Sequence, residues 1–117
     1  MLNPWAARSM RLARRFELRS EVAVMHITFP PEPAEYCGRD LVLAFSAVVD
    51  GERVQCAITA EALEDHFGAE SLREEDVVKA FERNRHAIEK AARRMLHELG
   101  KKPVLLHSGF FRFYEAG

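Results

Sequence analysis

The chain has 117 residues, 48% of them hydrophobic and 30% charged, enough apolar material for one domain with a real core. A net charge of -1 excludes a global field that would draw the protein to nucleic acid or an anionic membrane, and no apolar run approaches the ~18 residues of a membrane span. Two cysteines, Cys37 and Cys56, are too few for a disulfide framework and fit a reducing cytoplasm.

The charge is unevenly placed. Residues 1–24 hold five Arg against two Glu, and the remainder is net acidic. Trp5, Leu12 and Phe16 fall at helical spacing among Arg8, Arg11, Arg14, Arg15 and Arg19. Three readings fit: sequence upstream of a native start at Met25, a disordered or weakly helical tail, or an arm that touches membrane or nucleic acid. The first is preferred. Residues 1–24 are therefore treated as a basic extension and 25–117 as a single domain.

Val24 to Phe29 reads as a strand, with Met25, Ile27 and Phe29 on one side. Pro30, Pro31 and Pro33 end it and start a loop that runs to about Asp40. Leu41–Val49 and Glu52–Thr59 then flank Asp50-Gly51, the pair that supplies the positive φ values of a type I′ hairpin. A two-residue turn sets Val49 opposite Glu52, Ala47 opposite Val54, Phe45 opposite Cys56 and Leu43 opposite Ile58, which gives the hairpin an apolar face. The other face carries Val42, Ala44, Ser46 and Val48 against Arg53, Gln55, Ala57 and Thr59.

Thr59 is the expected N-cap of a short helix that Gly68 ends. Ser71-Leu72-Arg73-Glu74 reads as a capping box opening a second helix to Leu99, stopped by Gly100 to Pro103, with a break near Glu75 to Val77 allowed. Its predicted buried stripe is Val78, Phe81, Ile88, Ala92, Met95 and Leu99. Arg85 falls with that stripe, so it is expected to snorkel or to pair with a carboxylate of the first helix. A last strand from Val104 to about His107 is expected to continue past a Gly109 bulge through Phe110, Phe111 and Phe113. The fold class is α+β: a small, mainly antiparallel sheet with a β-hairpin and two helices on one face.

With these elements in place, the chain resembles a bacterial family of small proteins known as domain of unknown function 1488. The likeness rests on Ile27 and Phe29, Arg39-Asp40, Val49-Asp50-Gly51, Cys56-Ala57-Ile58-Thr59, Glu61-Ala62-Leu63, His66-Phe67 and Val104-Leu105-Leu106. It covers roughly residues 25–108. It implies a small α+β fold in a cytoplasmic bacterial protein that begins near Met25. It brings no activity and no site residues.

The chemistry-bearing residues form no strong motif. Cys56 and His66 invite a thiol–imidazole pair, but Cys56 belongs to the inward face and His66 to a helix end. His26, His66, His86, His97 and His107 are scattered without metal-ligand spacing, so no metal or other cofactor is expected. The carboxylates Glu61, Glu64, Asp65, Glu70, Glu74, Glu75 and Asp76 cluster at two helix starts, where a solvated acidic patch accounts for them. On a helical wheel Lys79, Arg83, His86, Lys90, Arg93, Arg94, His97 and Lys101 gather on one side. Such a stripe suits phosphate contacts, yet Glu82, Glu89 and Glu98 border it and no aromatic residue interleaves.

The expected function is thus a non-enzymatic accessory or interaction module. Self-association is expected, because Val42, Ala44 and Val48 are more apolar than a water-facing strand surface requires. The competing cover for that face is the aromatic tail Phe110, Phe111, Phe113 and Tyr114. A nucleic-acid binder using Lys79, Arg83, Lys90, Arg93, Arg94 and Lys101 is the rival reading, and a thiol-dependent enzyme using Cys56 and His66 is a third.

Overall fold

A computed structural model describes residues 25–112. The basic extension, Val24 of the first expected strand, and Phe113 and Tyr114 of the aromatic tail lie outside the described residues.

The hairpin organises everything else. Asp50 and Gly51 take φ values of 51° and 87°, the pair of left-handed residues that a type I′ turn demands. Strands β3 (Val42–Val49) and β4 (Glu52–Thr59) pair in the register the turn dictates, with Phe45 opposite Cys56 and Leu43 opposite Ile58. Burial alternates strictly along β3, as a half-covered sheet requires.

The free edge of β3 is occupied by two short strands rather than one. Strand β1 (Ile27–Thr28) sits opposite Val49 and Val48, and β2 (Glu35–Cys37) sits opposite Ala44, Leu43 and Val42. The segment expected to be loop up to Asp40 therefore contains a strand. Its prolines cannot donate to a ladder, so the chain leaves β3 at Phe29 and rejoins it at Glu35. On the other side, β5 (Val104–Leu106) runs parallel to β4, with Val104 opposite Cys56. The sheet order is β1-β3-β4-β5, with β2 also on β3. The sheet is mixed and mostly antiparallel, and the class is α+β.

Helix α1 (Ala60–His66) starts where expected: the Thr59 side chain accepts the Ala62 N–H at 3.0 Å, and Gly68 beyond its end has φ 79°. The single long helix is two, α2 (Glu74–Arg83) and α3 (Arg85–Leu99), broken at Asn84 rather than near Glu75. Asn84 leaves helical geometry at φ -117°, ψ 23°. Its side-chain amide donates to the carbonyls of Ala80 at 2.9 Å and Phe67 at 3.2 Å. An Asn that satisfies a carbonyl one turn back competes with the backbone ladder, and here it also ties the break to the end of α1.

The capping box does not form as expected. Ser71 Oγ donates to Asp76 Oδ2 at 2.6 Å and accepts from Arg73 N at 3.0 Å, and Arg73 is the N-cap. The break also turns the buried face. Val77, Ala80 and Phe81 of α2 and Ile88, Ala91, Ala92 and Leu96 of α3 are buried, while Val78 and Met95 are partly covered and Leu99 is 41% exposed.

These helices cover the sheet face made by Leu43, Phe45, Ala47, Val49, Val54, Cys56, Ile58, Val104 and Leu106. Phe81 is fully buried and its ring meets Phe45 at 5.3 Å between centroids. Truncating such a ring to Ala costs on the order of 3–5 kcal/mol.

The last strand stops at Leu106. Residues Ser108–Phe110 form a helical turn, α4, which carries Phe110 and Phe111 into the core beside α1. Phe111 packs edge-on to Phe67 at 5.0 Å and Phe110 edge-on to Phe111 at 5.2 Å. Ser108 Oγ donates to Asp65 Oδ2 at 2.6 Å, which anchors the turn to α1 and explains why the strand does not continue.

Candidate functional site

The helices take one sheet face and leave the other. On the open face stand Val42, Ala44, Ser46 and Val48 of β3, Arg53, Gln55, Ala57 and Thr59 of β4, and Leu105 of β5. Among the described residues no second layer covers this face. Leu105 is 49% exposed, and Leu41 just before β3 is 42% exposed. The tail residues Phe110 and Phe111, expected as one route to cover it, are instead buried on the helical side. That route is withdrawn for both of them, because a chain that turns helical at Ser108 stays on the side of α1.

Along the β3 edge, the proline segment arches over the open face. Arg53 grips it there: its guanidinium donates to both carboxylate oxygens of Glu32, at 2.6 and 3.3 Å. This hydrogen bond, with the charge of Arg53 behind it, holds the Glu32 carboxyl below its ordinary range and raises Arg53. From the helical side Arg85 grips the same segment. Its guanidinium donates to the carbonyls of Glu32 at 2.7 Å and Pro30 at 3.3 Å, and pairs with Glu89 at 2.9 Å and Glu82 at 3.2 Å. It lies 5.2 Å from the Phe81 ring centroid. Arg85 does belong with the apolar stripe, but its carboxylate partners are on α2 and α3 rather than on the first helix.

Between the arch and the sheet lies a groove of about 380 Å³, lined by Glu32, Pro33, Glu35, Ala44, Ser46 and Gln55. That volume falls in the small-ligand range. The sequence signal for it was the proline run, which marks an interrupted edge only once the register of β2 is known.

The basic stripe is divided by the Asn84 break. Lys79 and Arg83 lie on α2, and Lys90, Arg93 and Arg94 on α3; all are exposed. Several are engaged at home. Arg93 donates to the Ile27 carbonyl at 3.3 Å and sits 5.3 Å from the Phe29 ring centroid, a cation–π distance. Lys101 pairs with Glu52 at 3.5 Å. The recess beside Lys79 and Arg83 holds only about 10 Å³, and Glu70 and Asp76 share its rim.

Cys56 is fully buried, and burial pushes its thiol up to about 12. Its Sγ donates weakly to the Val54 carbonyl at 4.0 Å. His66 is exposed and stacks at a tilt on Phe111, 5.7 Å between centroids. No hydrogen bond joins the two, and a thiol held protonated in an apolar layer is not a nucleophile. Among the described residues no group of three or more His, Cys, Asp and Glu side chains could hold a metal ion. No helix among them is long and apolar enough to cross a membrane.

A family model described as "Protein of unknown function (DUF1488)" matches residues 27–106. The chain belongs to this family. The matched span opens on the first residue of β1 and closes on the last residue of β5, so the arch, the groove and the whole open face lie inside the family's common unit, and α4 lies outside it. No curated protein matches the chain. Among solved structures, the chain is similar to the crystal structure of a DUF1488-family protein of unknown function from Shewanella loihica PV-4. The TM-score is 0.59 at 19% identity, covering 69% of this chain and 92% of that one. At that identity the likeness establishes the fold.

Proposed function

We propose that this DUF1488 protein is a non-enzymatic interaction module of the bacterial cytoplasm that associates with a second copy of itself through the open sheet face. The observation that carries the reading is the composition of that face. Val42, Ala44, Val48, Ala57 and Leu105 stand where alternation assigns polar residues to a water-facing sheet. Phe110 and Phe111 are committed elsewhere. A two-fold contact brings the same apolar patch from each copy together, so one surface supplies both halves of the interface. Two unpaired cysteines, Cys37 and Cys56, support the cytoplasmic part of the reading, and a bacterial structural neighbour the bacterial part.

Sedimentation equilibrium tests it. The full chain is expected to be dimeric at micromolar concentration. Ala57→Lys, at the centre of the face, is expected to give a folded monomer with an unchanged circular dichroism spectrum. A wild-type protein that stays monomeric at high concentration overturns the proposal.

A further inference from the structure

Ser46 occupies a special place on the edge of β3. Backbone groups along a strand point alternately to its two neighbours. Leu41 accepts from Ala60 beyond the end of β4, and Asp50 donates to His26 beside β1. Odd-numbered residues of β3 therefore bond to β4, and even-numbered ones face β1 and β2. Val48 meets β1 and Ala44 meets β2. Ser46 lies between them, and among the described residues its N–H and C=O meet no backbone partner on this side.

The gap is written into the sequence twice. If the β1 register continued from Thr28 opposite Val48, Ser46 would face Pro30. If the β2 register continued from Glu35 opposite Ala44, it would face Pro33. Neither proline has an N–H to give to the Ser46 carbonyl. Prolines alone would serve to keep an edge from pairing with another chain. Here, however, Ser46 lines the groove beneath the arch, and Glu35 lines it too. Glu32 is held by Arg53, whereas Glu35 has no ion-pair partner among the described residues.

We infer that this notch is a binding site for the amino terminus of a peptide. An α-ammonium group supplies donors for the Ser46 carbonyl and the Glu35 carboxylate, and the neighbouring carbonyl oxygen of the ligand accepts the Ser46 N–H. A neutral carbonyl suits the second position better than a carboxylate does, since the carboxylate of Glu35, with no ion-pair partner among the described residues, repels an anion there. The ligand is therefore a peptide end rather than a free amino acid. The groove shares Ala44, Ser46 and Gln55 with the open sheet face, so a peptide end and a second copy of the chain compete for it.

The test is a nuclear magnetic resonance titration of the full-length, isotope-labelled protein with alaninamide, N-acetylalaninamide and alanine. Alaninamide is expected to move the Ser46 amide resonance saturably, with N-acetylalaninamide and alanine each weaker by about tenfold or more. Glu35→Gln removes an exposed charge without touching the core and should weaken alaninamide binding by a similar factor, about tenfold. Absence of a saturable Ser46 shift, or equal binding of the acetylated probe, overturns the site. Tighter binding of alanine than of alaninamide overturns the assignment to a peptide end, and undiminished binding by Glu35→Gln overturns the role of that carboxylate.

Discussion

Arg85 and Glu32 are joined across the whole hairpin and the first two helices: the guanidinium of one donates to the backbone carbonyl of the other at 2.7 Å. Through this bond the first turn of α3 holds the proline arch against the core, while Glu82 and Glu89 balance the cation. The side chain is only 21% exposed, so its loss leaves carbonyls and carboxylates without their donor. Arg85→Ala is expected to destabilise the protein by about 2–4 kcal/mol in urea unfolding. Arg85→Lys should recover little of this, because an ammonium cannot reach four acceptors that a planar fork spans.

Asn84 gives a prediction whose sign is informative. In one continuous exposed helix, Asn84→Ala would stabilise by a few tenths of a kcal/mol through helix propensity. At a break held by side-chain bonds to Ala80 and Phe67, the same change should destabilise by about 1 kcal/mol. Thermal or urea unfolding reads the sign directly.

Cys56 should be silent chemically and sensitive structurally. Cys56→Ser places a hydroxyl in an apolar layer and should cost about 1–3 kcal/mol, more than Cys56→Ala. A maleimide should label Cys37 of the native protein long before Cys56. The thiol also sets a pH dependence. Its folded value, about 12, lies above the ordinary 9.0. Its contribution is therefore complete below pH 9 and is lost as the unfolded chain ionises above it, by up to ~1.4 kcal/mol per pH unit. Wild type should lose stability faster than Cys56→Ala between those two values.

The basic residues divide into solvated and engaged ones. Replacing Arg83 and Lys90 with Gln should change stability by less than about 0.5 kcal/mol. Arg93→Gln loses both its bond to Ile27 and its place on Phe29, and should cost about 1 kcal/mol or more. Duplex DNA titrated at low and moderate salt should show no tight, steeply salt-dependent binding. If it does, and the Arg83 and Lys90 changes abolish it, the nucleic-acid reading replaces self-association.

The parts of this fold that could be read from sequence are those set by local geometry. Asp50-Gly51 determines the hairpin register by itself, and Thr59 and Gly68 bracket α1 through their own backbone preferences. What escaped detection depends on distant partners. Asn84 looks neutral inside a helical pattern, and only its bond to Phe67 turns it into a break. Strand β2 hides behind three prolines because its pairing requires β3 to be already in place. Ser108 fits a strand pattern in the sequence because its anchor, Asp65, lies on another element. Arg85 stood out as a charge on an apolar face, but its carbonyl partners belong to a segment with no pattern of its own. The groove is harder still, since it exists only where two separate registers leave Ser46 unmatched.

The parallel pairing of β5 with β4 has a consequence for how the chain is made. Cys56 and Val104 are neighbours in the sheet, but helices α1 to α3 are synthesised between them. Until β5 emerges, the outer edge of β4 is bare, and no local turn can guide a strand to it. The hairpin and α1 can close early on the ribosome; the sheet is completed only once β5 has emerged. A message cut short before Val104 would yield a product with a hydrophobic strand edge and no means of covering it, a form suited to rapid degradation rather than to partial function.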